Sequence, residues 1–558
     1  MAQGEYNKLF VGGDLSGIQK FLYNITSRHA SVSLKGRSAF LCNYLRKVCN
    51  RIEDTISGYD GFYDELYCSG GKFYLITDNK PDITKAIDEC AKDVKEELWN
   101  EHKGQLGVNI SYAAYKEEDG KFYVEGHEEE QNISSGVLWK YCNADFARQK
   151  NQKLKDLILL HPNKFFGFKP KNEDGTDNED SQELIVGEGH KVCALTGVEF
   201  DITKLPKGAK YTIDGDKDLF YLPSAIEQID AGEKLRKKEG FKTFEEYADG
   251  SYLGILRMDV DGMGKRFIIG FPTFDDYKKF SEKTRKFFEE DIKNKLLVEK
   301  IQEGPEKGME FRQFLNVIYA GGDDLFIVGR WDKVIDFAKL IHDRTLEEFK
   351  NESYIDIFNS NKPLCHISIS GGIAIVKPKY PIAKAAELAG EAEEAAKQGE
   401  KNAFNLFGKT ISWNKDKTFA VIEDEKFDEY AYVEYYKNKF VDYISKYNKD
   451  YGFSKSILHK IMLYSEIADM NIEREAKGTP KNYSYMWHIS YFMTRFMEKF
   501  KGYDKEQNSQ KREVKRELCN FCLNLRNEQL PKSRNLELLA IAARWAELSL
   551  KDKENNNK

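Results

Sequence analysis

The segment Tyr319-Ala-Gly-Gly-Asp-Asp-Leu-Phe326 predicts a β-hairpin with acidic residues at its turn. The runs 314–320 and 325–329 are rich in β-branched and aromatic residues, and Gly321 with Gly322 is a favoured two-residue connection between such strands. Asp323 and Asp324 would then begin the returning strand. We expect this hairpin to present two carboxylates to metal ions and to the phosphates of a nucleotide.

A second apolar strand about sixty residues upstream also ends in acids and then glycines, in Gly254-Ile-Leu-Arg-Met-Asp-Val-Asp-Gly-Met-Gly264. Transfer of a nucleotidyl group from an α-phosphate to a hydroxyl requires two divalent cations, and Mg²⁺ prefers carboxylate and carbonyl oxygen ligands. We therefore predict that Mg²⁺ or Mn²⁺ binds Asp259 and Asp323, with Asp324 and the Val260 carbonyl as further ligands.

The glycines beside these acids predict close approach of a nucleotide. Gly262 and Gly264 would let backbone N–H groups reach a triphosphate, and the Gly321 and Gly322 turn would lie beside its phosphates. Asp261 shares the sheet face of Asp259 only if the strand stays regular, so its role stays open. Each motif alone also fits a polar turn or a strand exit, and their combination favours the functional interpretation.

The composition is that of a soluble globular protein. At 558 residues the chain is too long for one core, and no apolar run reaches membrane-spanning length. The start lacks the features of a signal peptide, so the expected location is cytoplasmic, with no membrane partner. Nine scattered cysteines predict reduced thiols, and a net charge of -6 argues against a general nucleic-acid binder.

The same βαββαβ order occurs twice, which predicts an α+β protein with two ferredoxin-like domains. The second copy has a strand at 252–260, a helix at about 274–302, the acidic hairpin, a helix at about 332–350 and a strand at 365–375. The first has a strand at 8–14, a helix after Gly36, a hairpin at 68–76, a helix at 82–99 and a strand at 106–112. Lys72 and Phe73 follow Gly70 and Gly71 there, so the first copy has lost the acids.

Four domains are predicted from this organisation. They are a degenerate first copy at 1–135, an intervening α/β insertion domain at 136–245 with an acidic loop at 169–182, the acidic second copy at 246–410, and a C-terminal helical bundle at 411–558. The last residues, 551–558, are predicted to be disordered.

These motifs resemble the large signalling-polymerase subunit of type III CRISPR effector complexes, of the Csm and Cmr kinds. The matching segments are 13–22, 34–38, 69–73, 258–264, 321–324 and 370–397, in family order. The resemblance implies two palm domains, an intervening domain that often binds zinc and a helical bundle. It also implies that pairing of target RNA with guide RNA switches on synthesis of cyclic oligoadenylate from ATP, within a complex of partner subunits.

The resemblance gives Asp259, Asp323 and Asp324 metal-binding and catalytic roles, and it assigns further roles in nucleotide binding. Lys397 would contact the triphosphate, and the acceptor nucleotide would lie against Ser16, Gly17 and Gln19, with Gly70 and Gly71 nearby. Alternative interpretations are a solvated lysine at a helix C-terminus for Lys397 and a helix cap for Ser16 to Gln19.

Two departures from the family pattern limit what is carried over. The chain starts at the first palm, and its His342-Asp343 pair falls within a predicted helix, at the surface, so we expect no nuclease activity on DNA. Cys193 stands alone where the family has paired cysteines, which argues against zinc. Cys519 and Cys522 fit helix packing, since structural zinc needs four ligands.

Other functions share parts of this pattern. Diguanylate cyclases have a similar turn, but their inhibitory Arg-x-x-Asp is absent, since the corresponding segment is Arg312-Gln-Phe-Leu315. A pure scaffold would be expected to lose the acids of both copies. Some short relatives join AMP to S-adenosylmethionine instead of making oligoadenylate, and the residues do not decide between these products.

Overall fold

The computed structural model describes every predicted site segment of the chain. The described residues are 6–26, 28–102, 104–127, 135–152, 155–160, 189–213, 215, 218–269, 271, 273–350, 354–355, 363–364, 367–399, 401–413, 429–480, 483–530 and 532–556. The predicted acidic loop at 169–182 and residues 365 and 366 of the last predicted strand lie outside them.

Two compact units make up the chain. One comprises Met1–Ser368 with Val376–Glu387, and the other comprises Ile369–Ile375 with Leu388–Lys558. The predicted division into four domains is finer and stays a prediction.

Five antiparallel strands form the first sheet, in the order β2-β3-β1-β4-β5. The first four strands have the neighbour relations of a ferredoxin-like sheet, as predicted for this copy. β1 and β3 carry consecutive apolar residues and are buried along almost their whole length, and their aromatic and β-branched residues favour strand formation. The strands are β1 Lys8–Ser16, β2 Tyr63–Ser69, β3 Lys72–Asp78, β4 Gly107–Glu118 and β5 Lys121–Val124.

One face of the first sheet is covered by the helix Gly136–Asn151. Phe10 and Trp139 have ring centroids 4.6 Å apart, and a Cβ on Gly12 would lie 2.9 Å from the ring of Phe146. Because Phe10 and Gly12 alternate with their neighbours along β1, they share the face that this helix buries.

A long helix, Ala30–Ser57, begins six residues before Gly36, whereas the sequence predicted a helix after this glycine. Gly36 lies inside it because the helix Pro223–Glu239 crosses here. A Cβ on Gly36 would overlap the carbonyl oxygen of Gln228, and one on Gly232 would overlap that of Val32. The glycines therefore allow the two backbones to touch.

The strands that carry the predicted acids are β8 and β10, and β9 is the other strand of the acidic hairpin. β10 lies between β8 and β9 and is antiparallel to both. The helix Phe274–Arg285, continued by a π-helical segment Lys286–Asp291, precedes the hairpin, and the helix Trp331–Phe349 follows it, as predicted. The strands β6 to β12 are β6 His190–Val192, β7 Glu199–Asp201, β8 Leu253–Val260, β9 Leu315–Gly321, β10 Asp324–Arg330, β11 Tyr354–Ile355 and β12 Pro363–Leu364.

The second unit is mainly helical. Its strands are β13 Ile369–Val376, β14 Ala403–Leu406 and β15 Lys409–Ser412, with β14 parallel to β13 and antiparallel to β15. Its longer helices are Glu429–Tyr451, Ser456–Ala476, Ser484–Met497, Ser509–Asn524 and Ser533–Asn556.

The prediction of a disordered tail at 551–558 was wrong for residues 551–556. These residues extend the helix Ser533–Asn556, and Glu554 accepts a 2.6 Å hydrogen bond from Lys455. The buried face of that helix, which includes Trp545 and Leu550, continues almost to this point. Packing therefore overrides the polar composition of the tail.

The remaining helices connect these elements. In the first unit they are Ile18–Tyr23, Pro81–His102, Lys155–Leu160, Phe244–Ala248, Met263–Ile269 and Ile292–Asn294; Ile382–Lys397 spans both units. Short 3₁₀ and π turns are Ile202–Lys204, Leu296–Val298, Phe311–Gln313, Tyr503–Lys505 and Leu525–Gln529. Within the described residues, no helix has the length and apolar character that a membrane span requires.

Candidate active site

The turn between β9 and β10 consists of Gly322 and Asp323. Gly321 pairs with Asp324 across the hairpin, so the prediction that Gly321 and Gly322 form the turn was wrong by one residue. Gly322 has a φ of 67°, and Asp323 does not have a positive φ. Positive φ at the first turn residue alone is the pattern of a type II′ turn, which needs glycine only there. Asp323 therefore lies in the turn itself, and Asp324 opens the returning strand.

Asp259 lies directly opposite Asp324 where β8 pairs with β10. The two carboxylates have oxygen atoms within 4.8 Å of each other, and both side chains are half-buried. Like charges at opposed positions on a sheet repel each other, so this pair favours a bound cation. Since hard divalent cations prefer carboxylate oxygen, the residues fit the predicted metal site.

Asp261 does not continue the regular strand β8. The strand ends at Val260, and the Asp261 N–H donates to the Ser368 carbonyl at 2.9 Å while its carboxylate accepts from the Ser368 hydroxyl at 2.7 Å. A Cβ on Gly262 or Gly264 would meet no other atom within 4 Å. The space that a triphosphate would need beside these glycines is therefore open, and Asp261 is tied to Ser368.

The first sheet repeats this layout with one acid replaced. Asp14 on β1 lies opposite Lys72 on β3, as Asp259 lies opposite Asp324. Asp14 is buried and forms a 2.9 Å ion pair with Lys150. The register supports the prediction that the first copy cannot hold a metal pair, because lysine stands where the second carboxylate would be.

The predicted acceptor residues lie at the end of β1. Ser16 is the last strand residue and donates a 3.4 Å hydrogen bond to the Gly107 carbonyl, and Gln19 is exposed on the helix Ile18–Tyr23. Gly17 is the N-cap, with a φ of 86° and no side-chain cap. This placement fits the alternative interpretation of these residues as a helix cap, and the nucleotide-binding role stays a prediction.

The two glycine turns touch each other. A Cβ on Gly70 would lie 2.8 Å from the Gly322 Cα, and one on Gly322 would lie 3.1 Å from the Gly70 Cα. Beside this contact is a cavity of about 200 Å³. Its polar lining comes from both copies of the fold and includes Arg46, Ser69, Arg285, Glu289 and Tyr319.

Two tyrosines next to the turn stay neutral. Burial is the main cause that raises the pKa of Tyr319 well above its usual range, and the Asp324 charge adds to it. Burial likewise raises the pKa of Tyr67, with a contribution from Asp323. Neutral phenols leave the negative charge of the site on its carboxylates.

Lys397 is the last residue of the helix Ile382–Lys397, part of which lies in the second unit. Its ammonium group is 2.7 Å from the Glu393 carboxylate, one helical turn earlier. This placement fits the interpretation of a lysine at a helix C-terminus, and the triphosphate role stays a prediction.

Three cysteines that could suggest a zinc site are buried in the structure. Cys519 and Cys522 are buried on the helix Ser509–Asn524, which confirms the prediction of helix packing. The sulfur of Cys193 accepts a 3.4 Å hydrogen bond from the Leu222 N–H. In the part of the chain that the structure describes, the one cluster of potential metal ligands contains no cysteine.

His342 is buried, so the prediction that it lies at the surface was wrong; Asp343 is the exposed member of the pair.

Residues near the site that the sequence did not indicate include Ser368 and Glu289. Ser368 holds Asp261, and Glu289 accepts a hydrogen bond from the Ser69 hydroxyl. Each partner is more than 100 residues away in the chain, so no local pattern indicates these contacts.

Two family models match the chain. Residues 7–166 match Csm1 subunit domain B, and residues 252–405 match the Cas10/Cmr2 second palm domain. Curated relatives are described as CRISPR system single-strand-specific deoxyribonuclease Cas10/Csm1 of subtype III-A. The chain is therefore similar to Cas10/Csm1 proteins along most of its length.

The Cas10/Csm1 relatives are distant and longer than the chain. The protein of Methanocaldococcus jannaschii is 24% identical over 545 residues, which cover 81% of this chain and 63% of that protein. The protein of Enterococcus italicus is 26% identical, and the match covers 84% of this chain and 61% of the relative. The chain therefore spans less than two thirds of the length of these two relatives.

Solved structures share the fold of this chain. An apo Csm1–Csm4 cassette aligns with a TM-score of 0.55 at 17% identity, covering 98% of this chain and 70% of the other. Cassettes in complex with one ATP and with cA4 align with TM-scores of 0.55 and 0.53. At this identity the likeness shows the fold alone.

Proposed function

We propose that this chain is a nucleotidyltransferase that converts ATP into cyclic oligoadenylate when target RNA pairs with guide RNA in a type III complex. The observation that carries the proposal is the opposed pair Asp259 and Asp324, with Asp323 in the adjoining turn. Csm1–Csm4 cassettes of the same fold are described in complex with ATP, pppApA and cA4. These molecules form a chemical series from substrate through a linear dinucleotide to a ring.

In this proposal Asp259, Asp323, Asp324 and the Val260 carbonyl hold two Mg²⁺ or Mn²⁺ ions. Such ions, when bound, lower the pKa of an attacking 3′-hydroxyl and neutralise charge on the phosphates. The 3′-oxygen forms a bond to the α-phosphorus, and the bond from that phosphorus to pyrophosphate breaks.

The remaining predicted residues bind nucleotide. Gly262 and Gly264 leave open space for the donor triphosphate. Lys397 would add positive charge there, and Ser16, Gly17, Gln19, Gly70 and Gly71 would line the acceptor. Tyr67 and Tyr319 add no negative charge that would repel phosphate, because burial keeps them neutral.

The proposed assembly follows the Cas10/Csm1 likeness. The four domains at 1–135, 136–245, 246–410 and 411–558 would be two palms, an intervening domain and a helical domain. The partners would be the other subunits of a Csm-type complex, including a Csm4-like subunit, with guide and target RNA bound through the complex.

The test is a product analysis of the assembled complex. The chain is assembled with its guide-RNA subunits and given target RNA, Mg²⁺ and α-labelled ATP, with and without S-adenosylmethionine, and the products are identified by mass spectrometry. The control is the double variant Asp323→Ala, Asp324→Ala.

Three outcomes are distinguishable. Cyclic oligoadenylate that needs target RNA and is lost in the double variant would support the proposal. An AMP adduct that forms only with S-adenosylmethionine would show that the alternative product is made instead of oligoadenylate. The absence of any nucleotide product under all conditions would indicate a scaffold subunit. Adding single-stranded DNA to the same reaction tests the nuclease activity in the relatives' names.

A further inference from the structure

Strand β2 of the first sheet carries an irregularity that changes which side chains face the acidic strands. The pairing of β2 with β3 shifts between Glu65 and Tyr67, so Leu66 is an extra residue. A bulge of this kind re-aims the side chains beyond it and is common beside active sites.

Before the bulge, one face of β2 meets the helix Ala30–Ser57. Tyr63 lies 3.5 Å from the Cys49 sulfur, and Glu65 forms a 2.6 Å ion pair with Arg46. These are odd-numbered positions, as regular alternation requires.

The other face of β2 meets the helix Phe274–Arg285 and its π-helical continuation. Asp64 forms a 2.5 Å ion pair with Lys278, Tyr67 packs edge-on against Tyr277, and Ser69 donates a hydrogen bond to Glu289. Without the bulge, alternation would place Asp64 and Tyr67 on opposite faces. The extra residue therefore brings Tyr67 and Ser69 to the side of the acidic hairpin.

The Tyr67 hydroxyl lies at the acidic turn itself. It is 3.1 Å from the point where a Cβ on Gly322 would stand, so Gly322 is enclosed between Tyr67 and Gly70. Ser69 follows Tyr67 on the same face of β2, and its hydroxyl donates to Glu289. The side chains of Ser69 and Tyr67 thus line this face of β2 up to the turn.

We propose that Tyr67 and Ser69, which belong to the copy without paired acids, are positioning residues for Asp323. They contact the turn of Gly322 and Asp323 from β2 of the first sheet, on the side away from β9 and β10. The Asp323 carboxylate then keeps one orientation relative to Asp259 and Asp324. The degenerate copy then contributes to metal binding in the acidic copy without supplying a ligand. This inference rests on the proposed function for the metal site and for its kinetic readout.

The test compares two tyrosine hydroxyls on one strand. Tyr67→Phe and Ser69→Ala remove hydroxyls at the turn, and Tyr63→Phe removes one on the other face of β2 as the matched control. Mn²⁺ affinity of the full chain is measured by electron paramagnetic resonance, and kcat and KM for ATP are measured in the activated complex. Thermal melting of each variant reports any general loss of stability.

We expect Tyr67→Phe and Ser69→Ala to weaken Mn²⁺ binding by about fivefold or more and to lower kcat by about tenfold to a hundredfold, since small misplacements of catalytic groups have such costs. KM for ATP should stay within about twofold, because neither hydroxyl is proposed to bind nucleotide. Tyr63→Phe should match the wild-type chain in Mn²⁺ affinity, kcat and KM.

The proposal is overturned if Tyr67→Phe binds Mn²⁺ as the wild type does, if Tyr63→Phe shows the same losses, or if the wild type binds no Mn²⁺. A wild-type complex that binds Mn²⁺ but makes no adenylate product would instead contradict the proposed function. The Mn²⁺ comparison would then still decide the positioning role.

Discussion

Asp259 and Asp324 repel each other, and this repulsion has a measurable effect on stability. They lie directly opposite each other on β8 and β10, and no intervening side chain separates positions paired in this way. The stability of the metal-free chain is therefore lowered by the same contact that would favour metal binding.

We predict that Asp259→Asn or Asp324→Asn stabilises the metal-free chain and removes its response to metal. Relief of the repulsion is worth about 0.2–1 kcal/mol, so the melting temperature in chelator should rise by up to about 1 °C. Mn²⁺ should raise the melting temperature of the wild type, because a ligand that binds only the folded state stabilises it.

Melting curves with and without Mn²⁺ check this prediction, with Glu117→Gln as a control that removes an exposed carboxylate from β4. Variants that respond to Mn²⁺ as strongly as the wild type would contradict the assignment of these acids to a metal site.

His102 is a second residue with a measurable role. Burial, with a contribution from the Arg37 charge, lowers its pKa from 6.5 to about 4. Glu101 lies 3.6 Å from its ring. Between these pH values the unfolded chain binds a proton that the folded chain does not, so stability falls as the pH falls.

We predict a loss of about 2 kcal/mol of stability from this residue between about pH 7.5 and about pH 5. His102→Asn should flatten that part of the pH dependence, measured as the urea midpoint of unfolding. The idea fails if the wild type and the variant lose stability in parallel over this range.

At the scale of elements, the crossing of the helices Ala30–Ser57 and Pro223–Glu239 depends on two glycines. Alanine is favoured over glycine inside a helix by about 1 kcal/mol. At Gly36 and Gly232, however, a Cβ would overlap a carbonyl oxygen of the other helix. The segment 34–38, which resembles a family motif, therefore has a packing role in addition to any role in function.

We predict that Gly36→Ala and Gly232→Ala each destabilise the chain by about 1–3 kcal/mol, because the helices must move apart. Gly264→Ala is the control, since that helical glycine has open space around its Cα and the change should be neutral or stabilising there. Urea unfolding of the three variants provides the measurement. Equal stability of Gly36→Ala and the wild type would show that the crossing adjusts without cost.

At the scale of the whole molecule, the first sheet cannot be separated from the helix that follows it in sequence. The predicted boundary between 135 and 136 lies at the start of the helix Gly136–Asn151, which buries Trp139 and Phe146 against β1. The family match that begins at residue 7 also continues to residue 166.

We predict that a fragment of residues 1–135 melts without a cooperative transition and binds a hydrophobic dye, because it exposes the apolar face around Phe10. A fragment of residues 1–245 keeps both the covering helix and the helix that crosses at Gly36, so it should melt cooperatively. Calorimetry of the two fragments makes the comparison, and cooperative melting of the shorter one would place the boundary where the sequence predicted it.

Several features could be predicted because they depend on local patterns. The apolar runs of β8, β9 and β10 and the order of elements in the first sheet are properties of consecutive residues. The acids of the site were found in the same way, since Asp259 lies near the end of β8 and Asp324 begins β10. The error at the turn also has a local cause. Two adjacent glycines suggested a turn, and the backbone instead uses Gly322 with Asp323.

By itself, then, the sequence determined the strand and helix order, the family likeness and the three candidate acids. Only the tertiary structure decided that Asp259 faces Asp324, that Gly70 touches Gly322, that Asp261 turns to Ser368 and that a bulge brings Tyr67 to the acidic turn. The physical reason is separation along the chain. Each of these contacts joins residues that are far apart in sequence or depends on a one-residue shift in register, and periodicity within a single segment carries no information about either.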